Sequence, residues 1–280
     1  MPLSVKLLAS GMGWRVSDVL CTSGPRDPCY MEQHSAFSIA LVTDGNFQYR
    51  TAQGSALMTP GSLMLGNLGA CFECGHQHTR GDRCLAFHFS PEVFESIVAG
   101  VSGATRLVLG APRLPPAPSV LGVLAAAQAL RDADGGGTME EFGELALRLA
   151  GTVCTTLNEN TSGPPRAPTS RDERRVAAAL RYIEAQHDAR ISINDLAAAA
   201  AVSPFHFLRI FEQVVGVTPG QYMLRTRLRR AAVKLRCSDE AIGAVALNCG
   251  FDDLSTFNRQ FRRATGLTPG AYRERRTHLR

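Results

Sequence analysis

The 280-residue chain contains no run of 18 or more apolar residues, which excludes the long apolar stretch that a membrane-spanning helix needs. Its first residues, MPLSVKLLASGMGWRVSD, are broken by glycine, serine and charge and so lack the apolar heart of a secretory signal. The expectation is a soluble, cytoplasmic protein with no membrane partner. A disulfide framework is lacking too. Eight cysteines are scattered along the chain, and cytosolic thiols stay reduced, so a special cysteine here is expected to be a ligand or a reactive thiol. What is present is 45% hydrophobic and 20% charged residues, enough to build two medium-sized domains.

The net charge of +5 conceals an asymmetry. Residues 1–170 hold 11 Lys+Arg against 14 Asp+Glu, whereas residues 171–280 hold 19 against 11. The positive charge of the second part is nearly all arginine, the side chain shaped for bidentate contact with phosphates and guanine edges. Between the two parts, ENTSGPPRAPTSR (159–171) has three prolines and no apolar period, which predicts a linker. Before it, SAFSIALV, DGNFQYRT, SALMTPGSLMLGNLG and CLAFHFSP are short apolar runs punctuated by Gly and Pro, the pattern of antiparallel strands in a sandwich or barrel. Helical spacing follows over 119–131 and 139–158, separated by a DGGG break. These helices are expected to cover the β-rich domain or to pair with a second subunit in a homodimer.

After the linker the chain repeats itself. Phe211–Tyr222 reads FEQVVGVTPGQY and Phe261–Tyr272 reads FRRATGLTPGAY, at an offset of 50 that also aligns Phe207 with Phe257 and Arg209 with Arg259. A glycine that ends one helix and a Thr-Pro that starts the next recur in both copies, which predicts a structural duplication. In the first copy Leu196 and Ala197 belong to a short helix, Ala201-Val202 makes a turn, and Ser203-Pro204 opens the next helix, giving a helix-turn-helix. Phe207, Ile210, Phe211 and Val214 form its predicted core face, with Phe205, Leu208, Arg209 and Glu212 on the other side. In the second copy the predicted core face is Leu254, Phe257 and Phe261, and the outer stripe is Ser255, Asn258, Arg259 and Arg262. Asparagine suits adenine and arginine suits guanine or phosphate. A spacer helix over about 219–236 carries Arg225, Arg227, Arg229 and Arg230, candidates for phosphate contacts.

The ordered set L-A (196, 197), S-P-x-H-F-x-R-x-F (203–211), G-x-T-P-x-x-Y (216–222), G-F (250, 251), F-x-R-x-F (257–261) and G-x-T-P-x-x-Y-R (266–273) resembles the AraC/XylS family of transcription regulators. The resemblance covers residues 172–276. It implies an α+β multidomain chain: a cupin-like sensor domain over 1–158 with dimerisation helices, then an all-α DNA-binding domain with two helix-turn-helix units. It implies double-stranded operator DNA as partner, a small-molecule or metal effector, RNA polymerase if the protein activates, no enzymatic activity and no required cofactor. The DNA-binding set is Ser203, Phe205, His206, Leu208 and Arg209 in the first unit, and Asp253, Ser255, Thr256, Asn258, Arg259 and Arg262 in the second. Glu212 and Gln260 depart from the basic or small residues common in relatives.

One stretch of the N-terminal half carries its own chemistry. CFECGHQHTRGDRC (71–84) gathers Cys71, Cys74, His76, His78 and Cys84. Leu85, Phe87 and Phe89 alternate as one strand face and leave Cys84, Ala86 and His88 on the other. A symmetric hairpin pivoting at Gly81 would oppose Cys74 to His88 and His78 to Cys84, four donors for a tetrahedral soft metal. A thiol redox sensor and a structural hairpin lining an organic-ligand pocket are the alternatives. Metal-binding cupins place their histidines and glycine-proline turn in a different order from His76, His78 and Pro60-Gly61. A zinc-dependent alkyl-transferring DNA repair protein is the rival function, but this region lacks the second Cys-x-x-Cys pair such a site needs.

Overall fold

A computed structural model describes residues 3–76, 81–101, 108–132, 137–159, 168–186 and 191–275. His78, most of the expected linker (160–167) and the end of the expected DNA-binding domain at 276 lie outside the described residues. The chain divides into two compact units, Met1–Pro115 with Asp134–Ala167, and Pro116–Ala133 with Pro168–Arg280.

The first unit is built from β1 (Leu3–Gly11), β2 (Trp14–Cys21), β3 (Met31–Gln33), β4 (Phe37–Gly45), β5 (Phe47–Thr51), β6 (Gly54–Met58), β7 (Leu63–Gly66), β8 (Cys71–Gly75), β9 (Asp82–Phe89), α1 (Pro91–Ala99) and β10 (Arg113–Leu114). The chain then forms α2 (Pro118–Asp132), which belongs to the second unit, and returns with α3 (Met139–Glu159). One sheet has the order β1-β2-β9-β4-β7-β10 and the other β3-β8-β5-β6, each antiparallel at its described pairings.

Strand parity sets what each face of the larger sheet meets. Phe37 of β4 stacks on Phe94 of α1 with ring centroids 4.2 Å apart, and Phe89 of β9 lies against the same ring. Ala40, Val42, Cys84 and Ala86, on the opposite face, close a core with Phe47, Tyr49, Ala56 and Met58 of the smaller sheet. Burial on both faces explains why β4 reads as a continuous apolar run rather than an alternating one. Each fully buried large side chain contributes roughly 1.5–3 kcal/mol. Helix α3 packs on β1, β2 and α1 and buries Phe142, Leu145, Leu149 and Val153.

The expected Cys74–His88 hairpin does not form. β8 pairs with β3 and β5, whereas β9 pairs with β2 and β4 in the other sheet. The ladder groups on both edges of β9 are taken by long strands, which leaves no edge for β8.

The second unit adds α4 (Ser170–Ala185), α5 (Ile193–Ala199), α6 (Pro204–Val215), α7 (Pro219–Cys237), α8 (Ile242–Asn248), α9 (Leu254–Thr265) and α10 (Pro269–Glu274). Helix α4 packs on α5 and α6, and α7 packs on α8 and α9, so the duplication comprises three helices per copy. The helix over 118–132, expected with the N-terminal domain, packs instead on α7 and α9. Its Leu121 and Ala125 enter the core formed by Leu228, Ala231, Leu235, Phe257 and Phe261. Alanines at 125, 126, 127 and 129, all buried, permit the close approach.

Candidate nucleic-acid interface

Each helix-turn-helix is fixed by the same local devices. The turn after α5 closes with Val202 N–H donating to Ala197 O at 3.0 Å, and the turn after α8 with Phe251 N–H donating to Ala246 O at 3.0 Å. Both turns need a left-handed residue, Ala201 at φ 53° and Gly250 at φ 83°. The next helices start at Ser203 and Asp253, whose side chains accept from the backbone N–H of His206 and Thr256. Such caps satisfy donors that the helix itself cannot. Hydrogen bonds from Thr256 hold the Asp253 carboxyl below the usual carboxylate range, and the Arg259 charge adds to this. Gly216 and Gly266 then end the helices at φ 83° and 78°, each donating its N–H to the residue four back at 2.8 Å.

The repeated aromatics are the core of each copy. Phe207–Phe211 and Phe257–Phe261 have ring centroids 5.4 Å apart, and Tyr222 and Tyr272 meet Phe211 and Phe261 edge-on at 5.8 and 5.2 Å. With that side of each helix buried, the opposite side is left in solvent. On α6 it presents Leu208, 40% exposed, with Arg209 and Glu212. Arg209 donates to the His206 ring at 3.2 Å, and that ring, half-buried, lies 4.0 Å from Asp172 of α4. The Phe205 side chain lies outside what is described. On α9 and its N-cap the exposed residues are Asp253, Leu254, Ser255, Asn258, Arg259, Arg262 and Arg263, with Thr256 half-buried.

Two expectations need correction. Leu254, assigned to the core face of α9, is 45% exposed, because it occupies the first helical position, before the helix reaches the core. An open groove beside α9 is lined by Leu254 and Ile242 together with Asn258, Arg259 and Arg262, which adds an apolar contact to the polar stripe. The spacer arginines are not all available to phosphates. Arg229 is 8% exposed, Arg225 donates to the Pro116 carbonyl, and Arg236 lies 6.0 Å over the Tyr272 ring. Arg227 and Arg230 are half-buried, whereas Arg259, Arg262 and Arg263 of α9 are exposed.

The proposed metal quartet is dispersed. Cys84 and His88 are four residues apart on one strand, about 13 Å at ~3.3 Å per residue, too far to share an ion. His88 lies among Arg15 and His34, and burial lowers both His34 and His88 to about 4. His34 and Tyr49 share a 2.8 Å hydrogen bond and Tyr49 donates to Leu65 O at 3.0 Å, so the ring nitrogen of His34 is the donor in that pair. Cys74 and Cys84 do meet in the intersheet core, where burial first and the Asp82 charge second push both thiols well up. The residues they meet include Cys21, which sequence reasoning had not singled out.

The family described as a helix-turn-helix domain matches residues 196–275. The HTH-type transcriptional regulator Rv1931c of Mycobacterium tuberculosis is 40% identical over 82 residues, 29% of this chain and 32% of that protein. The transposon Tn10 TetD protein of Escherichia coli is 36% identical over 94 residues, 34% of this chain and 68% of that protein. A transcriptional regulator structure from Chromobacterium violaceum, described as having an AraC-type DNA-binding domain, is 29% identical and covers 39% of this chain and 96% of that chain, with a TM-score of 0.36. The chain spans about a third of the length of the first curated relatives it matches.

Proposed function

The chain belongs to the AraC/XylS family of transcription regulators, and from that premise we propose that it is a sequence-specific DNA-binding regulator that lays α6 and α9 in successive major grooves of one operator. The observation that carries this reading is the duplication itself, two capped helices with buried aromatic faces and exposed outer stripes, separated by α7. At 19 residues and 1.5 Å per residue, α7 is roughly 28 Å long, close to the ~34 Å between major grooves on one face of a duplex. The two readers are chemically unequal. Leu208 and Arg209 on α6 suit a thymine methyl beside a guanine or phosphate, whereas Asn258 and Arg259 on α9 suit adenine and guanine edges. Arg262 and Arg263 lie on the same helix and supply phosphate contacts that position it.

The N-terminal unit is the input side, sensing a small molecule or a metal ion, and the output acts through RNA polymerase where the regulator activates. Selection of binding sites by the full-length protein from a random duplex library tests this. The expected product is a bipartite site whose two elements lie about one helical turn apart, ~10.5 base pairs. No enrichment over unselected DNA would refute the reading.

A further inference from the structure

We propose that Cys21, His76 and Asp82, with Cys84 as the adjoining thiol, form a binding site for a borderline-to-soft divalent cation of the zinc class at one end of the intersheet core. Cys21 at the end of β2 stands directly opposite Asp82 at the start of β9 in the antiparallel ladder, so the two side chains leave the sheet on one face. Cys84, two residues along β9, shares that face by parity, and its Sγ lies 3.4 Å from Asp82 Oδ1. His76, just past β8, reaches across from the smaller sheet and places Nε2 2.5 Å from Asp82 Oδ2. The donor atoms of Cys21, His76 and Asp82 all lie within 4.8 Å of one another.

A tetrahedral zinc ion with bonds of 2.0–2.3 Å holds its donors roughly 3.4–3.7 Å apart. Loading an ion opens the His76–Asp82 pair from 2.5 Å and draws in donors now within 4.8 Å of one another, side-chain shifts of about an ångström. The mixture of thiol, imidazole and carboxylate selects zinc and its heavier congeners over the all-oxygen preferences of magnesium and calcium. His76 is 7% and Asp82 9% exposed, so the donors converge in a water-poor corner rather than on a solvated surface. The backbone holds them there. Gly81, at φ 71°, donates its N–H to Ser23 O at 2.8 Å, and a Cβ at that position would lie 2.6 Å from Cys21 O. The segment before Asp82 is thereby locked onto the segment that carries Cys21. Cys74 of β8 faces the same corner from the smaller sheet.

The test is titration of the reduced full-length protein, in a non-thiol reductant, with Cd2+ as the spectroscopic probe and Zn2+ as competitor. A cadmium–thiolate charge-transfer absorption should saturate at a single equivalent and be displaced by Zn2+. Cys21→Ser should weaken Cd2+ binding by at least ~10-fold, whereas Cys237→Ser, an exposed thiol in the other unit, should leave it unchanged. Zn2+ should also raise the melting temperature of the wild type. His76→Gln, which keeps a hydrogen bond to Asp82, should retain the metal-free melting temperature and lose the rise, a readout that holds even if the serine variant does not fold. Absence of the absorption, undiminished Cd2+ affinity in Cys21→Ser, loss of the absorption in Cys237→Ser, or an undiminished Zn2+-dependent rise in His76→Gln would overturn the proposal. None of these readouts involves DNA, so they stand or fall apart from the regulatory function.

Discussion

Ala201 holds the first helix-turn-helix turn at φ 53°, a conformation that glycine adopts freely and that costs an L-residue about 1–2 kcal/mol. The second copy has Gly250 at the equivalent turn. Replacing Ala201 by glycine releases this strain and adds back some backbone entropy in the unfolded chain. Ala201→Gly should therefore stabilise the protein by up to about 1 kcal/mol in urea unfolding, and a destabilised variant would contradict the turn geometry. In the first unit, His34 and His88 are held to about 4 from 6.5 by burial. The unfolded chain then binds protons between pH 6.5 and 4 that the folded chain does not, so stability is complete above that window and falls as pH drops through it. The melting temperature should follow this course, and His88→Gln should flatten it; an unchanged slope in the variant would contradict the assignment. At this scale the sequence was legible wherever a residue's role is local. The caps at Ser203 and at the two Thr-Pro starts, the terminal glycines and the outer stripe of α9 follow from spacing, whereas the Asp253 cap does not. Cys21 was not legible, because its significance comes from a ladder partner, Asp82, that lies far along the chain.

Elements with a strong helical period were read nearly to their ends. The helices expected over 119–131, 139–158 and 219–236 are observed as Pro118–Asp132, Met139–Glu159 and Pro219–Cys237. The strands with apolar cores, β4 to β7 and β9, were likewise visible. The β1–β2 hairpin was not. Leu3, Val5 and Leu7 alternate with Ser4 and Lys6, but they stay 45–59% exposed, so the alternation there follows no buried face. β8 pairs with β3 and β5 and not across the nearby glycine turn, because register is decided by which face of each strand is buried. The docking of α2 was equally hidden, since an apolar helix face does not name its partner. Leu121 is 5% exposed in the core with Leu228 and Phe257. Leu121→Ala should cost ~2–5 kcal/mol in the unfolding of the second unit. A loss below about 0.5 kcal/mol would mean that α2 contributes little to that core.

For the whole molecule, the positive charge is concentrated in residues 171–280. In the proposed function, the net charge of +8 over residues 171–280, from 19 Lys+Arg and 11 Asp+Glu, should make affinity for DNA fall steeply with salt through release of counterions. Affinity of that kind is blind to sequence. In the proposed function, specificity comes from the few side chains that the duplicated scaffold presents beyond its aromatic core, and Arg259, exposed on α9, is the one whose replacement tests it. The decisive measurement is fluorescence anisotropy of Arg259→Ala and of wild type, at one fixed salt concentration, on the selected operator and on random duplex. The variant should lose ~1–3 kcal/mol on the operator while its random-DNA affinity stays nearly constant. An equal loss on both would make Arg259 a phosphate contact and contradict base reading by α9.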